Sequence, residues 1–362
     1  MKPQIMCEIW RGSYLESVHS GMAAICDKNG EISYQWGDPK ALILPRSSAK
    51  MIQALPLIIS GAENKYSIRE DFLALACASH NAAEIHLSRV LSWLSHLGLN
   101  ESDLRCGSQP SRDPHVKSEM REKGQSPCQI HNNCSGKHAG FLSVSRHLNA
   151  GPEYTDPDHP VQLMVMNVFQ ELTQNNVDGI VIDGCSAPNP AMPLYSLAKA
   201  MSWFATAHKR DDELSKAALK LRNAMINYPE LVAGERRACT NLMKACDKKA
   251  ILKTGAEGVF VAILPELEKG IALKIHDGGT RASECAIASL LIQLGVLNPN
   301  HPTALAYTHA PILNWRGMET GFMKASNSFK LLLFYLINRL TFFLNLPTNQ
   351  TMQMKGKRYQ TS

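Results

Sequence analysis

The sequence has no apolar run long enough to cross a bilayer, no Cys-x-x-Cys pair, no internal repeat, and no stretch rich enough in Gly, Pro or Ser to serve as a linker. Its most apolar segment, LLLFYLINRLTFFLNL at 331–346, has 16 residues with Arg339 at the centre. As a helix it would reach about 24 Å against the roughly 30 Å of a bilayer core, so it reads as a docked or poorly folded terminal extension. A helix lying in the membrane interface is the alternative, and a membrane partner is not expected. A clustered basic stripe is also missing. The formal net charge is +6, but after Ser326 Lys330, Arg339, Lys355, Lys357 and Arg358 supply five of those charges with no acidic residue, leaving the body at +1. Nothing in that distribution favours a phosphate backbone, so no nucleic-acid partner is expected. The ten cysteines are scattered, without the spacing of a disulfide framework, and the opening MKPQIMCEIW lacks the charged-then-apolar pattern of a secretory signal. The expectation is reduced thiols in a cytoplasm, most of them small buried hydrophobes.

What is present is a globular chain, 44% hydrophobic and 19% charged over 362 residues, enough for a core of catalytic size. Residues 1–44 hold short β-type runs (QIMCEIWRGS, GMAAICDKNGEISYQWG, KALILP), with KNGE as a hairpin turn. From 45 the period becomes helical. Ser67 is a candidate N-cap for IREDFLALACA, and AAEIHLSRVLSWLSHLG places Ile85, Leu87, Val90, Leu91, Leu94 and Leu97 at helical spacing before Gly98. Further helices are predicted over 135–148, 160–173, 193–207, 212–227 and 235–246. Three β-type runs follow in KKAILKTGAEGVFVAILPELEKGIALKIHDGG, then a helix in TRASECAIASLLIQLGVL. Strands at both ends with helices between them predict a mixed α/β (α+β) fold, in which the N- and C-terminal segments form one antiparallel sheet flanked by helices, with a helical lobe inserted.

A Ser-x-x-Lys pair occurs twice, as Ser47 with Lys50 and as Ser196 with Lys199. Either alone is an ordinary helix residue with a solvated lysine three positions on. The first is followed by Ser79-His80-Asn81, a Ser-x-Asn, and by Lys253-Thr254-Gly255 on a predicted strand, which in order and context match the three elements of serine β-lactamases and penicillin-binding proteins. A serine hydroxyl needs a base to attack, and positions i and i+3 of a helix share a face, so Ser47 and Lys50 can meet. Lysine serves as that base when neutral, a state favoured by burial and by the charge of Lys253. The amides of Ser47 and Ala256 could receive an oxyanion, and Ser79, held by Lys253, could pass a proton to the leaving amine. The plain alternatives are a helix cap for Ser79 and an exposed strand position for Lys253.

LPRSSAK, CASHN, HNNCSGKHAGFL, IDGCSAPNPAMPL, KTGAEGVF, LKIHDGGTRA and NWRG together resemble the class 3, or rhizobial-type, L-asparaginases over roughly residues 4–323. The resemblance implies a serine-β-lactamase-like fold, homodimers, and hydrolysis of L-asparagine to L-aspartate and ammonia. It maps two Ser-Lys pairs onto Ser47 with Lys50 and Ser79 with Lys253, and a zinc site onto Cys134, Lys137 and Cys185. Thiolates are good zinc ligands and Cys134 and Lys137 stand i and i+3 at a predicted helix start, but the spacing alone suits buried thiols equally well. Arg46, Asn81, His138, Asp183 and Ala256 are candidates for contact with substrate. Asp183 also suits a partner behind the metal or a turn aspartate, and Arg46 and His138 suit simple packing. The family pattern ends soon after NWRG, so 1–325 is expected to be one catalytic domain and 326–362 an atypical extension, apolar then basic. The alternatives are a hydrolase of the same fold acting on β-lactams, peptides or glutamine, a non-catalytic zinc-dependent binding protein, and a membrane-anchored variant.

Overall fold

A computed structural model describes residues 4–174 and 179–331. Contacts group the chain into Met1–Phe329 and Lys330–Ser362, and the first of these is described below. Eight strands build its main sheet: β1 (Gln4–Arg11), β2 (Tyr14–Cys26), β3 (Ile32–Trp36), β4 (Ile251–Thr254), β5 (Val259–Leu264), β6 (Lys269–Ile275), β7 (His309–Leu313) and β8 (Glu319–Ala325). The order is β7-β8-β1-β2-β6-β5-β4, with β3 also paired to β2, and every pairing is antiparallel. Cys7 opposite Ala325 and Ile25 opposite Ile271 put the N-terminal strands between the C-terminal ones, as the position of the β-type runs predicts. The KNGE segment is the expected hairpin. The Gly30 amide donates to Asp27 O, the Asp27 carboxylate accepts from the amides of Asn29 and Glu31, and Gly30 supplies the positive φ of 80° that the turn needs.

Every residue of β5 is buried, which explains why VFVAIL shows no alternation: both faces of this strand are covered. Helix Leu194–Ala205 lies on β2, β5 and β6, and helix Thr280–Gln293 packs against β1, β5, β6 and β8. Gly270 lets the first of these helices touch the sheet, because a Cβ there would lie 2.1 Å from Ser202 N and 2.3 Å from Ala198 O. The helical lobe centres on Lys50–Ile59, which packs against helices Ser135–Leu148, Pro160–Thr173 and Glu213–Asn227. Phe72 stacks on Trp93 with centroids 5.0 Å apart, and the Trp93 indole N–H donates to Ser143 Oγ, so the largest side chain of this lobe is buried with its polar atom satisfied.

Three expectations change on contact with the structure. Ser67 is not an N-cap; it sits at φ 48°, and the helix starts at Glu70 with Arg69 at the cap. Leu42–Ile43 leaves the main sheet to pair with Met192–Pro193. The helix expected over TRASECAIASLLIQLGVL ends at Gln293, where Gly295 takes a φ of 72°. The packing of the first unit also runs past Ser326. The Ser326 amide donates to Met6 O, and Phe329 is buried edge-on against Trp36 at 4.9 Å. From residue 332 the apolar segment lies outside the described residues. Among the described residues, no helix is long and apolar enough to cross a membrane.

Candidate active site

The residues Arg46–Ala49 form a single 3-10 turn that passes directly into helix Lys50–Ile59. Arg46 adopts φ 52°, a conformation that costs a non-glycine residue about 1–3 kcal/mol and persists only where its surroundings hold it. The adjacent serines are used differently. Ser48 is buried and its hydroxyl donates to Pro45 O at 2.6 Å, whereas Ser47 is half-buried on the wall of a cleft of about 300 Å³. Lys50 is buried, and its ammonium donates to Ala78 O and, at 3.4 Å, to Asn133 O. No hydrogen bond joins Lys50 to Ser47, so the direct contact expected from their spacing is not made. The reason is solvation: a buried ammonium needs carbonyl oxygens, and Ala78 and Asn133 offer them.

Ser79-His80-Asn81 runs extended between two other segments. Ser79 N donates to Val232 O, Asn81 N to Ala233 O, and His80 N to Asn133 O. Ser79 therefore caps nothing; the following helix begins at Glu84. Lys253 comes from β4 and is fully buried, not an exposed strand position, with Nζ 2.8 Å from Ser79 Oγ and 2.8 Å from Thr254 O. Burial first, and then the charge of Lys50, push Lys253 down to about 7. A lysine so placed is available as a neutral base near neutral pH.

Across the cleft, Cys134 stands at the N-cap of helix Ser135–Leu148, with Lys137 one turn inside and Cys185 arriving from a separate loop. Lys137 Nζ donates to Cys185 Sγ at 3.2 Å and lies over the Phe141 ring; all three polar groups are buried. Cys134 Sγ is 2.9 Å from Asn133 Oδ1 and within hydrogen-bonding reach of Cys185. The hydrogen bond from Cys134, reinforced by the Lys137 charge, holds Cys185 well below the ordinary thiol range despite burial, so the two sulfurs and the Lys137 amine share hydrogen-bonded protons, with Cys185 the more acidic thiol. Among the described residues, no group of three or more His, Cys, Asp or Glu could hold a metal. Two sulfurs and an amine nonetheless fit zinc as a donor set, since the 3.2 Å Lys137–Cys185 separation is close to the roughly 3.5 Å between N and S ligands of a tetrahedral zinc. Binding would displace the shared protons.

Arg46 and Asp183 close one end of the cleft as an ion pair, with Nη2 2.7 Å and Nε 2.8 Å from Oδ1. Burial pushes the Asp183 carboxyl up, but the Arg46 hydrogen bond and charge outweigh it and keep it below the ordinary range. Ala256 lines the cleft from the turn after β4. Gly255 brings that turn onto the segment that carries Ser47, because a Cβ there would meet Pro45 O at 2.8 Å and Ser48 Cβ at 3.3 Å. Two candidates lie off the wall. Asn81 packs on Gly234 and lines a neighbouring cleft. His138 is buried with Nδ1 2.9 Å from Tyr154 Oη, and burial drives it well below the usual imidazole value. Arg112 and Gln109 also line the cleft, and no motif marks them. Asn133, whose carbonyl receives both Lys50 and His80, sits unremarked inside HNNCSGKHAGFL.

A model of the L-asparaginase II family matches residues 7–325. No curated protein gives a significant match by sequence. Among solved structures, Mglu in its native form is similar at 11% identity over 77% of this chain and 66% of that chain, with a TM-score of 0.45. Mglu in its glutamate form is similar at 12% identity over 76% of this chain and 61% of that chain, TM-score 0.43. A β-lactamase from Mycobacterium bovis is similar at 13% identity over 76% of this chain and 95% of that chain, TM-score 0.44. The chain spans less than two-thirds of the length of these Mglu chains.

Proposed function

We propose that the chain, a member of the L-asparaginase II family, is an amidohydrolase that converts L-asparagine to L-aspartate and ammonia through a serine acyl-enzyme. The observation that carries this reading is the Lys253–Ser79 contact at 2.8 Å, with Lys253 near neutrality, behind a cleft that presents Ser47. Ser47 Oγ attacks the side-chain amide carbon and gives its proton to the Lys50 amine in its neutral form, which leaves the Ala78 and Asn133 carbonyls to reach the serine. The amides of Ser47 and Ala256 receive the oxyanion. Ser79, relayed by Lys253, protonates the leaving nitrogen as the C–N bond breaks, and ammonia departs. Water then attacks the ester, releasing aspartate and restoring Ser47. Arg46 and Asp183 present a guanidinium and a carboxylate to the ionic end of an amino acid. Ser79 is buried off the wall, which supports Ser47 as the attacking group.

Cys134, Lys137 and Cys185 are the residues that would hold zinc, which when bound supplies a fixed positive charge and Lewis acidity beside the cleft. Residues 1–325 are assigned as the catalytic domain. A cytoplasmic, homodimeric protein is supported by ten unpaired cysteines and by Leu313 and Trp315, which stay exposed at the β7–β8 hairpin. The test is ammonia release from L-asparagine by the wild type and Ser47→Ala, with L-glutamine and nitrocefin in parallel. Asparagine-selective release that vanishes in the variant is expected. Normal release by the variant refutes the mechanism, and turnover of glutamine or nitrocefin without asparagine refutes the substrate.

A further inference from the structure

A second cleft, of about 430 Å³, adjoins the first and shares Arg112 with it. Arg236 and Arg237 complete its cationic wall. Among the described residues, none of these three guanidiniums has an ion-pair or side-chain hydrogen-bond partner, and Arg237 Nη1 is buried without one. Two carboxylates also line the cleft. Asp113 is committed to its own helix, since Oδ1 accepts from the amides of His115 and Val116 at 3.1 Å and Oδ2 lies 3.5 Å from Asn81 Nδ2. Glu235 is exposed and reaches none of the three arginines. Three cations thus face one free carboxylate on the lining of a cavity large enough for a four-carbon acid; the Glu284 carboxyl behind Arg237 feels that charge but is pushed up by burial, so it is a weak counter-charge. Burial, and then the neighbouring charge of Arg237, hold Arg112 below its ordinary value, as expected of like charges lacking an anion between them.

We propose that this arginine-lined cleft is a binding site for a small dianion, a dicarboxylate or inorganic phosphate, beside the nucleophile cleft. Guanidinium forks match either group through paired charge-assisted hydrogen bonds. The site is tied to the chemistry by backbone: Asn81 O accepts the amides of Arg112 and Asp113, while Val232 and Ala233 accept those of Ser79 and Asn81. The loop carrying Arg236 and Arg237 is therefore anchored to the segment that carries Ser79.

Titration calorimetry on the full chain, with succinate and with inorganic phosphate separately, reads binding without reference to amide hydrolysis, so an inactive enzyme would leave the result intact. Binding of either anion, weakened at least about tenfold by Arg236→Gln and tightened by Glu235→Gln, is expected. Arg236 is exposed and lies outside the nucleophile cleft, so asparagine turnover in the absence of added anion should be unchanged in that variant. Tighter binding of succinate assigns the site to carboxylates, and tighter binding of phosphate to phosphates. Heat from neither anion, or binding that survives Arg236→Gln undiminished, overturns the proposal.

Discussion

Replacing Lys253 with methionine separates the chemistry of the site from its stability. In the native protein Lys253 sits near 7, against 10.5 for a free side chain. At pH 7 about half of it is neutral, whereas a lysine in water would be neutral in about one molecule in three thousand. Between the two values the unfolded chain holds a proton that the native chain has released. Stability contributed by this group is therefore complete above about 10.5 and is lost as pH falls through about 7, with a slope of at most about 1.4 kcal/mol per pH unit. Urea unfolding of both proteins at pH 7.5 and 9.5 isolates the effect, because every other titrating group is common to them. Wild type should gain up to about 2.5 kcal/mol over that interval relative to Lys253→Met. Ammonia release in the variant should fall by about 10²–10⁴-fold, the usual size of a lost acid–base partner. Equal pH slopes would refute a depressed Lys253, and equal activity would refute its part in the chemistry.

In Gly255→Ala, the added Cβ falls 2.8 Å from Pro45 O, so the KTG turn should be levered off the serine turn. Turnover is expected to drop up to about 100-fold for a stability cost of about 1–3 kcal/mol, read by steady-state kinetics and thermal melts. Asp183→Asn leaves the Arg46 guanidinium unpaired and should cost about 1–3 kcal/mol at pH 7. The Asp183 carboxyl is held below its ordinary value, so the loss should shrink as acid protonates the wild-type pair, which denaturation at pH 3 and pH 7 would show. Wild type dialysed into metal-free buffer should retain about one zinc per chain by elemental analysis, and Cys185→Ser none; a metal-free wild type refutes the site.

Much of the fold was legible because the signals are local. The bounds of helices Ser135–Leu148 and Pro160–Thr173 coincide with their apolar periodicity, and the KNGE turn needs only Asp27 and Gly30. Ser67 misled because serine before an apolar run is a cap only when its backbone is extended; here the chain turns through a positive φ two residues before the helix cap. Spacing likewise put Lys50 beside Ser47, but it contained nothing about the carbonyls of Ala78 and Asn133 that draw the amine away.

By itself the sequence determined which residues have the chemistry: Ser47, Ser79, the lysines at 50, 137 and 253, and the thiols at 134 and 185, each inside a recognisable local motif. Only the tertiary structure decided which of them work together. Lys253 reaches Ser79 across 174 positions of chain, Arg46 reaches Asp183 across 137, and Lys137 reaches Cys185 across 48. Motifs report backbone geometry over a few residues, whereas a perturbed lysine or a shared proton is produced by burial and by charges that arrive from distant segments. That is also why Arg112 and the second cleft left no mark in the sequence: an arginine without a partner is ordinary on paper, and becomes unusual only when the fold surrounds it with others.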